Sequence, residues 1–292
     1  MRPRPEPGPR PLLTALRRPD GPVRHHVYAV HPGALAATVW NTPAAALPDG
    51  VALSLLDLQN VPEYFAAAFA RGGGGPARIE DLAARCLAAV AAVHPEGAPY
   101  SLAGWSFGGV VAFDLARQAA GHPALGRPTD LVLLDSIAPV PAYQRGDDLL
   151  EPDLLLGWFA MYLGAKRERP LKWTPTGAPD GLADLLAATV RQGVLPADTE
   201  LPGFRKLHDT YVAGLLRNNR YTLPYRGTPL DLEITLIKPE HSLLPDSGDL
   251  GWTGLSTLPL RRAAVDGDHY TMLHRPSSLS VLTELLAQAA AA

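Results

Sequence analysis

The chain has 292 residues, 47% of them hydrophobic and 19% charged, which supports one large α/β domain or two small ones and excludes a disordered chain. With 26 basic and 29 acidic residues the net charge is −3, so there is no electrostatic footprint for nucleic acid. The single cysteine, Cys86, excludes an intramolecular disulfide and a cysteine-cluster metal site, and it reads as a small apolar residue in a helix.

Residues 1–11 form a flexible lead rich in Pro, Arg and Glu, without the apolar core of a secretory signal. No window reaches ~18 consecutive apolar residues, so no membrane span and a cytoplasmic setting are expected. Residues 12–16 read as a short edge strand before the turn Arg18-Pro19-Asp20-Gly21. Residues 25–31 are extended and stop at Pro32-Gly33, 34–47 are Ala-rich and read as a helix interrupted by Pro43, and 51–58 are a second strand. The glycine run at 71–76 is a loop that lacks the Lys-Ser/Thr of a phosphate-binding loop. Ile79, Leu82, Ala83, Cys86, Leu87 and Val90 then recur at helical spacing. A short apolar run at 100–103, a buried helix to Gly121 and a strand at 131–134 follow. This alternation predicts a mostly parallel sheet with helices on both faces. Between about 143 and 226 three helical stretches, 149–163, 182–192 and 204–218, have no strand between them, which predicts a helical insertion over one sheet edge. Strands return at 232–237 and 258–265, and Ser277 is expected to cap a last amphipathic helix.

Gly104-Trp105-Ser106-Phe107-Gly108 fits G-x-S-x-G in the context that motif needs, a strand before it and a helix after it. The turn must be tight, so glycines flank a serine held at the sheet's C-terminal edge beside a helix N-terminus. The plainer reading is a serine cap on an ordinary strand–helix unit. A serine hydroxyl needs a base, and the base needs an orienting acid. Asp135 ends the next strand, and in a parallel sheet it lies on the same edge as Ser106. Asp246 and Asp249 are the competing acids. His269 follows the last strand and returns to that edge, giving the order Ser, Asp, His, while His241 and His274 are the other candidate bases. Asp268, beside His269, reads as turn chemistry. The oxyanion hole calls for two backbone N–H groups, from Phe107 and from Ala34 in the loop after residue 31.

These residues, taken with Gly109, Leu133-Leu134-Asp135-Ser136, Gly251-Trp252 and Gly267-Asp268-His269-Tyr270-Thr271-Met272-Leu273, resemble type I thioesterase domains that release products from nonribosomal peptide and polyketide synthases. The resemblance covers residues 12–292, nearly the whole chain. It implies an α/β-hydrolase fold with a helical lid at about 143–226, Ser106 as nucleophile, Asp135 as acid and His269 as base. It also implies an acyl-loaded phosphopantetheinyl carrier protein as partner, hydrolysis or macrocyclisation as outcome, and no cofactor or metal. Ala34-Leu35 depart from the glycines that often follow His-Pro-Gly in the family, and with no carrier domain attached in the sequence, either a free-standing enzyme or an excised terminal domain is expected. Trp158, Phe159, Met161, Tyr162, Phe204 and Tyr211 are candidate lid residues lining an acyl chamber, or plain core. Lys166, Arg167, Arg169 and Lys172 are a candidate carrier-docking cluster, or a solvated loop. A general carboxylesterase or acyltransferase, and an idle hydrolase fold used for binding, are the competing functions.

Overall fold

The computed structural model describes residues 10–68, 78–175, 177 and 180–291; the glycine run at 71–76 lies outside them, as do residues 1–9 of the lead. Seven strands form one sheet: β1 (Leu13–Arg17), β2 (His25–His31), β3 (Val51–Asp57), β4 (Tyr100–Trp105), β5 (Asp130–Leu134), β6 (Glu233–His241) and β7 (Arg261–Asp268). Their order is β1-β3-β2-β4-β5-β6-β7. Among the described residues only β1 runs antiparallel to its neighbour; the other pairs are parallel.

Parallel neighbours need crossovers, and helices supply most of them. The helices are α1 (Asn41–Ala46), α2 (Pro62–Ala66), α3 (Ile79–Ala91), α4 (Phe107–Ala119), α5 (Pro152–Lys166), α6 (Gly181–Arg191), α7 (Leu201–Thr222) and α8 (Pro276–Ala291). The insertion between β5 and β6 is α5, α6 and α7. Prolines open α5 and α7 in the first turn, where the missing N–H costs nothing.

Side chains alternate between the two faces because the strand period is two. Tyr28, Val30, Leu102, Leu131, Leu133 and Leu236 join a core with α3 and α4. Val27, Ala29, Ala103, Val132, Leu134 and Ile237 join a second core with α5, α6 and α8. Both faces are covered, which is why the central strands read as unbroken apolar runs. Cys86 is fully buried in α3, and burial pushes its thiol up to about 12, so it is an inert packing residue.

Two expectations are corrected. The helix expected over 34–47 is broken, but not at Pro43: a 3₁₀ turn at Ala37–Trp40 leads into the short α1, which contains Pro43 in its first turn, and residues 34–36 stay with the preceding loop. Ser277 does not cap the last helix. Pro276 takes the first helical position, which its fixed φ favours, and the Ser277 hydroxyl instead accepts the Asp266 N–H at 3.1 Å.

The register sets up the site. Trp105 pairs with Leu134, and Leu134 with Ile237, so β4, β5 and β6 end at one rim. The residues that follow these strands are held there by the continuing ladder: the Ser106 N–H donates to Leu134 O at 2.9 Å and the Asp135 N–H to Ile237 O at 2.9 Å.

Candidate active site

Ser106 stands between β4 and α4 with φ 55° and ψ −131°. A non-glycine residue at such a φ is strained and persists only where its surroundings enforce it. Here the enforcement is close packing. A Cβ on Gly104 would collide with Gly109, and one on Gly108 would collide with the Val30 carbonyl, so helix and strand meet at backbone distance. Phe107, the first residue of α4, has an N–H without a hydrogen bond among the described residues.

Asp135 also has positive φ, 42°, and is fully buried. A buried carboxylate must be partnered, and this one has three donors. Ser242 Oγ donates to Oδ1 at 2.6 Å, while the Leu243 N–H reaches Oδ2 at 3.2 Å and His269 Nδ1 donates to Oδ2 at 2.7 Å. His269 is 1% exposed. Its N–H donates to the His241 carbonyl at 3.2 Å, and its carbonyl accepts the Trp105 indole N–H at 3.0 Å. The imidazole tilts over Trp105 at 5.4 Å and meets Tyr270 edge-on at 4.7 Å. Residue 105 therefore binds the histidine's backbone and packs its ring, and residue 106 follows directly. No hydrogen bond joins the Ser106 hydroxyl to His269 among the described residues, and catalytic hydrogen bonds commonly tighten only around substrate.

The competing residues fall elsewhere. Asp249 caps its own turn through the Gly251 N–H at 3.0 Å, and Asp246 is exposed. His274 is exposed and shares a hydrogen bond with Thr42 Oγ1 at 3.3 Å. Asp268 accepts the Tyr270 and Thr271 N–H groups at 2.8 and 3.0 Å, the turn chemistry read from the sequence.

The loop after β2 is gripped at three carbonyls. Tyr64 Oη on α2 donates to Pro32 O at 3.0 Å. Gln59 Nε2 donates to Gly33 O. His31 Nε2 donates to Leu35 O at 3.0 Å while its Nδ1 accepts the Trp40 indole N–H at 3.2 Å. Burial lowers the His31 pKa, which keeps the ring neutral and suits one donor nitrogen and one acceptor. Gly33 has φ +89°, and a Cβ there would strike Gln59. Holding the Gly33 carbonyl orients the 33–34 peptide plane and turns the Ala34 N–H the opposite way. That N–H also lacks a partner among the described residues. The sequence reading missed Ser242, Gln59 and Tyr64; Ser242 directly follows β6 and Gln59 lies two residues after β3, while Tyr64 sits within α2.

The lid aromatics divide. Phe159, Tyr162, Phe204 and Tyr211 pack together in the second core, with Tyr211 and Tyr270 hydroxyls bonded at 2.6 Å. Trp158 and Met161 instead line a cavity of about 1960 Å³ that also borders Ala34, Ser242 and Leu243. Neither Ser106 nor His269 lines it. Lys166, Arg169 and Lys172 stand on its wall among acidic neighbours, with Lys166 Nζ bonded to Tyr162 Oη at 2.7 Å. No group of His, Cys, Asp or Glu suited to hold a metal occurs among the described residues, and no described helix is long and apolar enough to cross a membrane.

A parallel sheet with one antiparallel edge, a strained serine turn after its central strand and a buried Asp–His pair on the same rim define the α/β-hydrolase fold. A family model described as a thioesterase domain matches residues 25–288, and the chain belongs to that family of hydrolases. It is similar to a non-reducing polyketide synthase of an Arthrinium species, 29% identical over 68% of this chain and 9% of the relative. It is also similar to the bikaverin polyketide synthase of Gibberella fujikuroi, 38% identical over 32% of this chain and 5% of the relative. The chain thus spans a tenth or less of these relatives' length. Among solved structures it resembles a four-domain nonribosomal peptide synthetase bound to AMP and glycine, with 24% identity and TM-score 0.63 over 95% of this chain and 20% of that one. It also resembles the thioesterase RedJ of the prodiginine pathway in Streptomyces coelicolor, with 19% identity and TM-score 0.54 over 96% and 91% of the two chains. Both likenesses show the fold.

Proposed function

We propose that this chain releases an acyl, peptidyl or polyketide chain from a phosphopantetheinyl carrier protein through an acyl-Ser106 intermediate, by hydrolysis or macrocyclisation. The observation that carries the reading is the 2.7 Å bond from His269 Nδ1 to buried Asp135, at the rim where Ser106 leaves β4, in a chain of the thioesterase family.

In the first half, Ser106 Oγ attacks the thioester carbonyl carbon and its proton passes to His269 Nε2. Asp135 accepts from Nδ1, which fixes the tautomer with its lone pair on Nε2 and stabilises the imidazolium that forms. The negative charge that develops on the carbonyl oxygen is received by the Ala34 and Phe107 N–H groups. The C–S bond breaks and sulfur leaves as a thiol with the proton from His269. In the second half, water or a hydroxyl or amine of the bound chain gives its proton to His269 and bonds to the acyl carbon. Ser106 leaves, reprotonated by His269. A chamber walled by Trp158 and Met161 folds the chain and limits water, which favours an internal nucleophile. Lys166, Arg169 and Lys172 on its wall suit an acidic carrier surface or the arm's phosphate. The polyketide synthases among the relatives support the same substrate class.

The test is release from a loaded carrier. Carrier protein bearing an acyl-phosphopantetheine is incubated with the chain, and the free-thiol carrier is followed by intact mass. The wild type regenerates it and Ser106→Ala does not. Equal rates for the two would overturn the proposal.

A further inference from the structure

Arg217 on α7 is 9% exposed, yet no carboxylate lies within ion-pair reach of it among the described residues. Its nearest partners are neutral. Nη2 donates to Tyr64 Oη at 2.8 Å, Nε donates to Asn218 Oδ1 at 3.1 Å, and the guanidinium carbon lies 3.7 Å from the Tyr64 ring centroid. Stacking on an aromatic face supports a cation but does not neutralise it. A buried charge without a counter-ion is costly, and one that persists suits an anion supplied from outside.

The donor set fits that requirement. Nη1 of Arg217 makes no hydrogen bond among the described residues, and it is not one of their fully occluded polar atoms, so it keeps an opening. The Asn218 side chain has a fixed orientation, because Arg217 Nε can donate only to its oxygen. Its Nδ2 is thereby turned outward, and it too lacks a partner among the described residues. A guanidinium edge beside an amide N–H₂ matches the two oxygens of a carboxylate.

The place is next to the reacting centre. The Tyr64 ring stacks on Phe107, the residue after Ser106, at 5.7 Å and 7°. The Tyr64 hydroxyl reaches Pro32 O of the loop that carries Ala34. A phosphopantetheine phosphate is separated from its thioester by two amide-linked units, too far to fall beside Phe107 while the thioester is at Ser106. We propose that Arg217 and Asn218 bind a carboxylate carried by the acyl chain itself, selecting acidic acyl groups for transfer to Ser106. This rests on the thioesterase reading above.

Two N-acetylcysteamine thioesters of equal length test it, one ending in a carboxylate and the other in the matching carboxamide. The wild type is expected to favour the carboxylate by about 10-fold in kcat/KM. Arg217→Met should erase the preference, and Arg217→Lys should keep only part of it. Equal wild-type rates on the two mimics, or an equal loss on both in Arg217→Met, would overturn the proposal. So would an effect of Arg217→Met that follows a phosphate on the arm, seen with phosphopantetheine thioesters, and not the acyl carboxylate. Calorimetric binding of the free acyl dicarboxylate to Ser106→Ala, with and without Arg217→Lys, reads the site without turnover. Binding that ignores residue 217 refutes the site, while a wild type inert on both mimics refutes the thioesterase reading instead.

Discussion

Ser242→Ala isolates one support of the proposed acid. Asp135 is fully buried, and its Oδ1 has one hydrogen-bond partner among the described residues, the Ser242 hydroxyl at 2.6 Å. The other two donors both meet Oδ2. Removing the hydroxyl leaves a buried carboxylate oxygen without a donor. A hydrogen bond to a charged group contributes roughly 1.5–3 kcal/mol, and a buried site has no water to replace it. Part of that cost falls on folding, so the urea midpoint should drop. The rest falls on orientation: Asp135 is free to turn toward other donors and the 2.7 Å bond to His269 loosens. We expect kcat to fall about 10- to 100-fold on an acyl thioester with a smaller change in KM, because the Ser242 hydroxyl donates to Asp135. Ser242→Thr, which keeps a hydroxyl, should recover most of the rate. Steady-state kinetics on one thioester mimic, with urea melts of each variant, give both readouts. A fully active Ser242→Ala, or a loss that Thr cannot rescue while stability is normal, would refute the reasoning.

Three more outcomes follow from the same geometry. Gln59→Ala frees the Gly33 carbonyl and the Ala34 N–H paired with it, so kcat should fall by about 10-fold or more, short of the ~10²–10³ for complete loss of an oxyanion donor; an unchanged kcat contradicts the role given to the loop. Gly108→Ala drives a methyl into the Val30 carbonyl and should cost about 1–3 kcal/mol by urea denaturation, and a neutral variant would mean that the elbow is not close-packed. His25, buried with Nδ1 unpartnered, has its pKa lowered to about 4 by burial and by His26 and His94. The unfolded chain therefore takes up the proton first, near 6.5, and stability present above that pH is lost as pH falls toward 4. His26, His31 and His94, also lowered by burial, add to this slope, while Asp130, raised by burial, opposes it just above pH 3.8. His25→Gln should give a shallower fall of urea midpoint between pH 6.5 and 4; an unaltered slope contradicts the assignment.

What could be read in advance follows from parallel topology. Strands that run the same way must end at one rim, so chain order alone brought residues 106, 135 and 269 together on paper. The helical insertion was legible because strand periodicity stops after residue 143 and three apolar helical stretches follow. The contacts that hold the site were not. Ser242, Gln59 and Tyr64 act through single hydrogen bonds to residues 107, 26 and 32 positions away, and no local pattern marks such pairs. The lid aromatics were ambiguous because α5 is apolar on all sides, with Phe159 and Tyr162 buried beside Trp158 and Met161, so spacing could not tell core from cavity wall. Arg217 looked like any basic residue on a long helix. Its isolation from carboxylates is a property of the packed molecule.

The most direct measurement is peptide mass mapping of the chain quenched during turnover of a thioester mimic. The account predicts an acyl adduct on Ser106, formed by the wild type and strongly reduced in His269→Ala. Turnover with no adduct at that serine, or an adduct on another side chain, would contradict it.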